Sequence, residues 1–166
     1  IQEIAQHSEE AVETVANGTF HMTVVDKGRI RVGVIGVGSL GQWHAKVYSQ
    51  MPGAALVGVY DVEHERAVKI AGSYGGKAFE TMDALAEEVD AVSVVVPTDR
   101  HHEVFLALAA RGLHMLVEKP IAATMAQAGE MIRVARERSL VLQVGHVERF
   151  NPVMRFLEDH LKTPRF

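Results

Sequence analysis

The sequence predicts a doubly wound α/β domain, a parallel sheet with helices on both faces. From Ile30 onward, short β-branched runs alternate with helix-length stretches. Those runs are apolar at successive positions rather than at every second one, as strands buried on both faces require. The first of them empties into a glycine-rich turn that opens a helix, the arrangement of a mononucleotide-binding unit.

Residues 1–29 stand outside this pattern. Ala11, Val12, Val15 and Ala16 share one helical face, with Asn17-Gly18 as its stop. Phe20, Met22 and Val24 then alternate as in a strand, and Asp26-Lys27-Gly28 makes a turn. His21-Met22 fits a cloning scar behind foreign or upstream sequence as well as it fits a native extension, and the segment receives no function.

In the regular part, Ile30–Ile35 is the first strand, and residues 39–50 form a helix that Met51-Pro52-Gly53 breaks. Residues 55–60 make the second strand, ending on Asp61. A helix over 63–73 leads through Tyr74-Gly75-Gly76 to a short strand over 77–79 and a helix over 81–88. Residues 91–96 are an almost purely β-branched fourth strand. Apolar positions 104, 105, 108 and 109 mark a helix over 101–111, stopped by Gly112. His114–Val117, a helix over 124–138 and a strand over 140–144 complete the domain at residue 147, and residues 148–166 begin a link with a helix over 152–162.

Composition narrows the function. With 48% apolar and 23% charged residues, the chain is a globular protein and not a disordered one. Its 166 residues fit one domain that buries roughly 70% of its unfolded surface. No apolar run approaches the roughly 18 residues of a membrane span. A net charge of −4 without a basic stripe gives no support to nucleic-acid binding. The absence of cysteine removes disulfides, thiolate zinc sites and thiol nucleophiles, and is compatible with a cytoplasmic location. Ile1-Gln2-Glu3-Ile4 has no signal-peptide character, and the missing initiator methionine points to an incomplete reading frame.

Gly36-Val37-Gly38-Ser39-Leu40-Gly41 is a G-x-G-x-x-G in the required strand–turn–helix context of a Rossmann-type domain. Its glycines allow the tight turn, the approach of a pyrophosphate and close helix–strand packing, while the helix N-terminus offers N–H groups to phosphate. Asp61 can accept hydrogen bonds from both hydroxyls of an adenosine ribose and would repel a 2′-phosphate, which favours NAD over NADP. Arg66 is the cation that argues otherwise, and it is expected to be solvated. Pro97 and Thr98 close the fourth strand at the ligand edge of the sheet. The adjacent His101 and His102 have no third ligand at usable spacing, so no metal is expected, and His101 reads as a packing or cofactor-edge residue.

Glu118-Lys119-Pro120 follows the fifth strand. A lysine there can hydrogen-bond a substrate hydroxyl and move its proton, or can pair at the surface with Glu118. His146, in Gly145-His146-Val147-Glu148-Arg149-Phe150-Asn151-Pro152, stands where the last strand empties into the same crevice, while Arg149 and Phe150 suit inter-domain packing equally well. Neither a hydrolase triad pattern nor a phosphate-loop G-K-[ST] is present.

The glycine loop, Pro97 to Glu103 and Glu118-Lys119-Pro120, in this order, resemble the Gfo/Idh/MocA (glucose–fructose oxidoreductase and inositol dehydrogenase) family of NAD(P)-dependent sugar oxidoreductases from about Ile30 to Pro152. The octapeptide 145–152 is similar to the branch that oxidises UDP-N-acetylglucosamine at C3. The resemblance implies that Lys119 touches both nicotinamide and substrate hydroxyl, that Glu118 borders the nicotinamide, that Pro97, Thr98 and His101 line the cofactor, and that His146 lies near nicotinamide and sugar. It places the family's aspartate/histidine pair in a second α/β domain that also mediates oligomerisation, and the chain stops before it. The expectation is a dinucleotide-binding fragment with half an active site, from a homo-oligomeric enzyme acting on a sugar or nucleotide sugar. Inositol, a free sugar or another small substrate, or a non-catalytic NAD-sensing role, are the alternatives.

Overall fold

The computed structural model describes residues 11–16, 19–24 and 28–161. Six parallel strands form the main sheet: β3 (Ile30–Ile35), β4 (Ala54–Tyr60), β5 (Lys77–Ala78), β6 (Ala91–Val94), β7 (His114–Val117) and β8 (Leu142–Val144), in the order β5-β4-β3-β6-β7-β8. This is the Rossmann strand order, and it reverses direction between β3 and β6. The crevice outside the carboxyl ends of those two strands is where such sheets take ligands.

The helices are α1 (Gly41–Gln50), α2 (His64–Tyr74), α3 (Met82–Ala86), α4 (Thr98–Ala110), α5 (Met125–Glu137) and α6 (Pro152–Leu161). Adjacent strand residues point to opposite faces, so Val34 and Ile35 enter different cores. Val34, Val37 and Val59 pack with Ala45 of α1 and Ala67, Ile70 and Ala71 of α2. Ile35, Val94, Val117 and Met115 pack with Leu85 of α3, Phe105 and Leu108 of α4 and Met131 of α5. Both faces of the sheet are therefore covered, which is why its strands read as continuous apolar runs.

Residues 11–16 are a strand, not the expected helix. This β1 (Ala11–Ala16) pairs antiparallel with β2 (Thr19–Val24) in a separate two-stranded sheet, from Ala11↔Val24 to Ala16↔Thr19. Val12, Thr14 and Val15 are β-branched. Asn17 and Gly18, and Asp26 and Lys27 of the expected turn, lie outside the described residues.

Other differences are at element ends. The fourth strand of the pattern stops at Val94, because Val95 and Val96 turn away at the point where the sheet reverses. The last strand starts at Leu142, since the Val141 N–H donates to His114 Nδ1 at 3.0 Å. Helix α4 begins at Thr98, three residues before the expected start, behind Pro97 with its φ of −56°.

Candidate functional site

The glycine turn meets each steric demand of the motif. Gly36 has φ +84°, and a Cβ there would stand 2.5 Å from the Val95 carbonyl oxygen. Only glycine holds that conformation at no steric cost. A Cβ on Gly41 would overlap the Gly36 carbonyl, so the third glycine lets α1 start directly against the turn. Gly38 is different: nothing lies within 4 Å of where its Cβ would be. That open space is the cradle a pyrophosphate needs. Ser39 and Leu40 beside it are exposed, and α1 begins with Leu40 as its N-cap, without a side-chain cap or an acidic residue in its first turn. The Gln42 and Trp43 N–H groups donate within the turn, to the Gly38 carbonyl at 3.3 Å and the Leu40 carbonyl at 2.9 Å, and the positive end of the helix dipole faces the open space at Gly38.

Asp61 is 5% exposed at the end of β4. Its Oδ2 accepts from the Val37 N–H at 2.8 Å and its Oδ1 from the Glu63 N–H at 2.9 Å. The acidic residue and the glycine turn, read separately from the sequence, are thus one hydrogen-bonded unit. Arg66 is not merely solvated as expected. Its Nη1 reaches Asp61 Oδ1 at 3.1 Å and Oδ2 at 3.3 Å, its Nη2 reaches Glu63 at 2.6 Å, and the adjacent Asp61 charge raises the guanidinium above its ordinary value. The reason is helical: Arg66 sits in the first turn of α2, whose axis starts beside the carboxylate. With four contacts on two oxygens, Asp61 reaches ribose hydroxyls only as Arg66 gives way.

Pro97 is exposed at the mouth between β6 and α4, with Thr98 partly buried beside it. His101 does not line that mouth. It is 1% exposed, with Nδ1 2.9 Å from the Pro120 carbonyl and Nε2 2.9 Å from the Val96 carbonyl. One turn into α4, the ring lies between the segments that leave β6 and β7, and its neutral form donates to one of the two carbonyls. His102 faces away from it, to Glu130 at 2.8 Å. Among the described residues no three histidines, aspartates or glutamates converge on a metal-sized site.

Glu118 is 5% exposed at the end of β7, and it does not form the surface pair with the Lys119 side chain. Its Oε2 accepts the Lys119 backbone N–H at 3.0 Å, and its Oε1 meets His44 Nε2 at 3.2 Å. A Cβ on Gly145 would stand 2.6 Å from Oε1, so only glycine lets the end of β8 close over this carboxylate. His44 Nδ1 is 3.0 Å from Ser93 Oγ, which is 2.7 Å from the Tyr48 hydroxyl. Burial lowers the His44 pKa from 6.5, against the opposing charge and hydrogen bond of Glu118. Lys119 is exposed, in a Lys119–Pro120 segment whose peptide bond is cis.

His44, Ser93 and Tyr48 escaped the sequence reading. A signal was present: Ser93 interrupts a β-branched run, and a polar group in a strand buried on both faces needs a partner. His44 and Tyr48 follow at helical i, i+4 spacing after the glycine turn.

A groove of about 400 Å³ is lined by Leu40, Trp43, His44 and Val47 of the turn and α1, with Leu116 of β7 and Glu118 and Lys119 just after it among its other walls. It brings Leu40, Glu118 and Lys119 together, then runs down the flank of α1 away from the strand ends. His146 is exposed beside Val147, which also lines the groove, and Arg149 and Phe150 are exposed in the short 3₁₀ turn Val147–Phe150.

Residues 30–146 match the oxidoreductase family with an NAD-binding Rossmann fold, Gfo/Idh/MocA, and the chain belongs to that family. UDP-N-acetylglucosamine 3-dehydrogenase of Acidithiobacillus ferrooxidans is 43% identical over 128 residues, 77% of this chain and 40% of that protein. Its solved structure superposes with a TM-score of 0.76 at 42% identity, covering 80% of this chain and 43% of that one. Inositol 2-dehydrogenase of Rhizobium meliloti is 35% identical over 125 residues, 74% of this chain and 38% of that protein. A 3-ketoreductase of Actinomadura kijaniata, in complex with TDP-benzene and NADP, has a TM-score of 0.77 at 31% identity over 81% of this chain and 43% of that one. The chain thus spans about two fifths of the length of these relatives.

Proposed function

We propose that this chain is the cofactor-binding part of an NAD-dependent sugar oxidoreductase, and that the whole enzyme moves a hydride between a sugar hydroxyl carbon and nicotinamide. The observation that carries the reading is the Asp61 carboxylate hydrogen-bonded at 2.8 Å to the glycine turn, with open space at Gly38 beside an uncapped helix start. Gly36, Gly38, Ser39, Leu40 and Gly41 would hold the pyrophosphate, Asp61 the adenosine ribose, and Pro97, Thr98, Glu118 and Lys119 the nicotinamide half.

Bound nicotinamide supplies the carbon that takes or gives the hydride. The chain's own part is orientation and proton handling. Lys119, exposed at the end of β7, holds the substrate hydroxyl and passes its proton on, with His146 beside the sugar. The identity to the Acidithiobacillus enzyme favours C3 of UDP-N-acetylglucosamine as the reacting centre. The remaining catalytic groups, and a homo-oligomeric interface, belong to sequence outside this chain.

Arg66 on Asp61, together with an NADP-bound relative, gives the NADP alternative a specific footing. Calorimetric titration with NADH and with NADPH separates the two. Tight NADH and weak NADPH binding is expected, and the reverse order would transfer the role of Asp61 to Arg66. In the full-length enzyme Lys119→Ala is expected to abolish turnover while costing NADH affinity far less, since the glycine turn and Asp61 still hold the rest of the dinucleotide. Persisting turnover would remove Lys119 from the chemistry, and the sensing reading, which needs the glycine turn and Asp61 but no lysine in the crevice, would gain.

A further inference from the structure

The chain Tyr48, Ser93, His44, Glu118 and Lys119 N–H crosses three elements, α1, β6 and the end of β7, and no known step of the proposed chemistry uses its first three members. Its polarity is self-consistent. With the imidazole neutral, Nε2–H donates to the Glu118 carboxylate (3.2 Å) and Nδ1 accepts from the Ser93 hydroxyl (3.0 Å), which accepts from the Tyr48 hydroxyl (2.7 Å). Every hydrogen then has an acceptor, and the donors run toward the one anion. Ser93 is fully buried, and Glu118 is covered by Gly145 at a spacing that admits no side chain. Apolar residues at 44 and 93 would fill the same volume without needing partners. What the polar chain adds is direction: it aims Glu118 at the Lys119 amide (3.0 Å), where the backbone leaves β7 for the crevice.

We propose that His44 is a positioning residue: acting through Glu118, it fixes the backbone at Lys119, so that the nicotinamide half of a bound dinucleotide depends on His44 and the adenosine half does not. The adenosine half is held by the glycine turn and Asp61, which share no hydrogen bond with this chain of groups. The inference rests on the dinucleotide reading above.

The test is calorimetric titration of the whole chain with NADH and with ADP-ribose, which lacks the nicotinamide. His44→Ala is expected to weaken NADH about tenfold, the size of one lost charge-assisted hydrogen bond, with ADP-ribose affinity unchanged. His44→Gln, whose amide can still donate to Glu118, restores most of the NADH affinity. In the ligand-free protein the Lys119 amide resonance moves in His44→Ala, while that of Val37 stays. Equal weakening of both ligands, or an unmoved Lys119 amide, overturns the proposal as a mere fold effect. Where His44→Ala does not fold, Tyr48→Phe keeps the ring and removes only the distal hydroxyl. It should shift the same amide by less, and an unmoved amide there also overturns the proposal. A wild-type chain that binds neither ligand overturns the dinucleotide reading and this one with it, whereas selective loss of neither in a binding chain overturns this one alone.

Discussion

Asp61 and Glu118 stand at the carboxyl ends of β4 and β7, and each is 5% exposed. Each accepts from the backbone near a turn, Asp61 from Val37 at 2.8 Å and Glu63 at 2.9 Å, and Glu118 from Lys119 at 3.0 Å. They differ in the group that completes them. Asp61 faces an arginine, whose charge is permanent and whose side chain is 37% exposed and able to leave. Glu118 faces a histidine that is 15% exposed at the groove wall and tied to Ser93 by its other ring nitrogen, and whose partial burial lowers its pKa. The same carboxylate chemistry thus makes an exchangeable acceptor in one place and a fixed strut in the other. Arg66 can swing away with its exposed side chain, whereas His44 is held at both ring nitrogens.

The comparison is broken most directly at Asp61. Asp61→Ala is expected to weaken NADH about 100-fold in calorimetry, since hydrogen bonds to a charged group contribute about 1.5–3 kcal/mol each. An affinity within a few-fold of wild type would show that the ribose is held elsewhere. Glu118→Ala should act on stability first. It leaves the Lys119 N–H and the His44 ring without their acceptor, a loss of about 1–3 kcal/mol in urea denaturation. Unchanged stability would mean that water replaces the carboxylate easily, and the strut description would fail.

Arg66→Ala sharpens the contrast by removing the exchangeable partner. The ratio of NADH to NADPH affinity should rise about three- to tenfold, because the cation available to a 2′-phosphate is gone. A ratio that falls would mean that Arg66 serves NADH.

The smallest effects concern pH. Burial places the folded His44 below its ordinary 6.5, so below that value the unfolded chain binds the proton first and stability falls as pH falls. The hydrogen bonds of Arg31, at 2.6 Å and 3.2 Å, lower the Asp90 carboxyl, which adds a second loss in the same direction at more acid pH. That pair is 54% and 42% exposed and is worth no more than about 1 kcal/mol. As pH falls below 6.5 the Lys119 amide resonance should therefore titrate with His44 and the Val37 amide should not. Equal movement of the two would erase the distinction between the carboxylates.

Much of this was legible in the chain. The periodicity of the strands and the spacing of Gly36, Gly38 and Gly41 before α1 are local properties, and Asp61 follows at the end of the next strand. Residues 11–16 misled because alanine and valine at those spacings fit a helical face as well as a strand, and only pairing with β2 decides between them. For His101 the sequence left packing and cofactor edge both open, because position at a helix start does not tell which way a ring points; the ring is 1% exposed between the Val96 and Pro120 carbonyls.

By itself, the sequence determined the α/β alternation, the glycine turn and the family to which the chain belongs, since each is written in neighbouring residues. Tertiary structure alone decided the partners of the buried polar groups. His44 is 74 positions from Glu118 and 49 from Ser93, and nothing local links them. They meet because the sheet reverses between β3 and β6, bringing α1 over the ends of strands far along the chain. There a buried donor must find an acceptor or forfeit its hydration, and the fold supplies one.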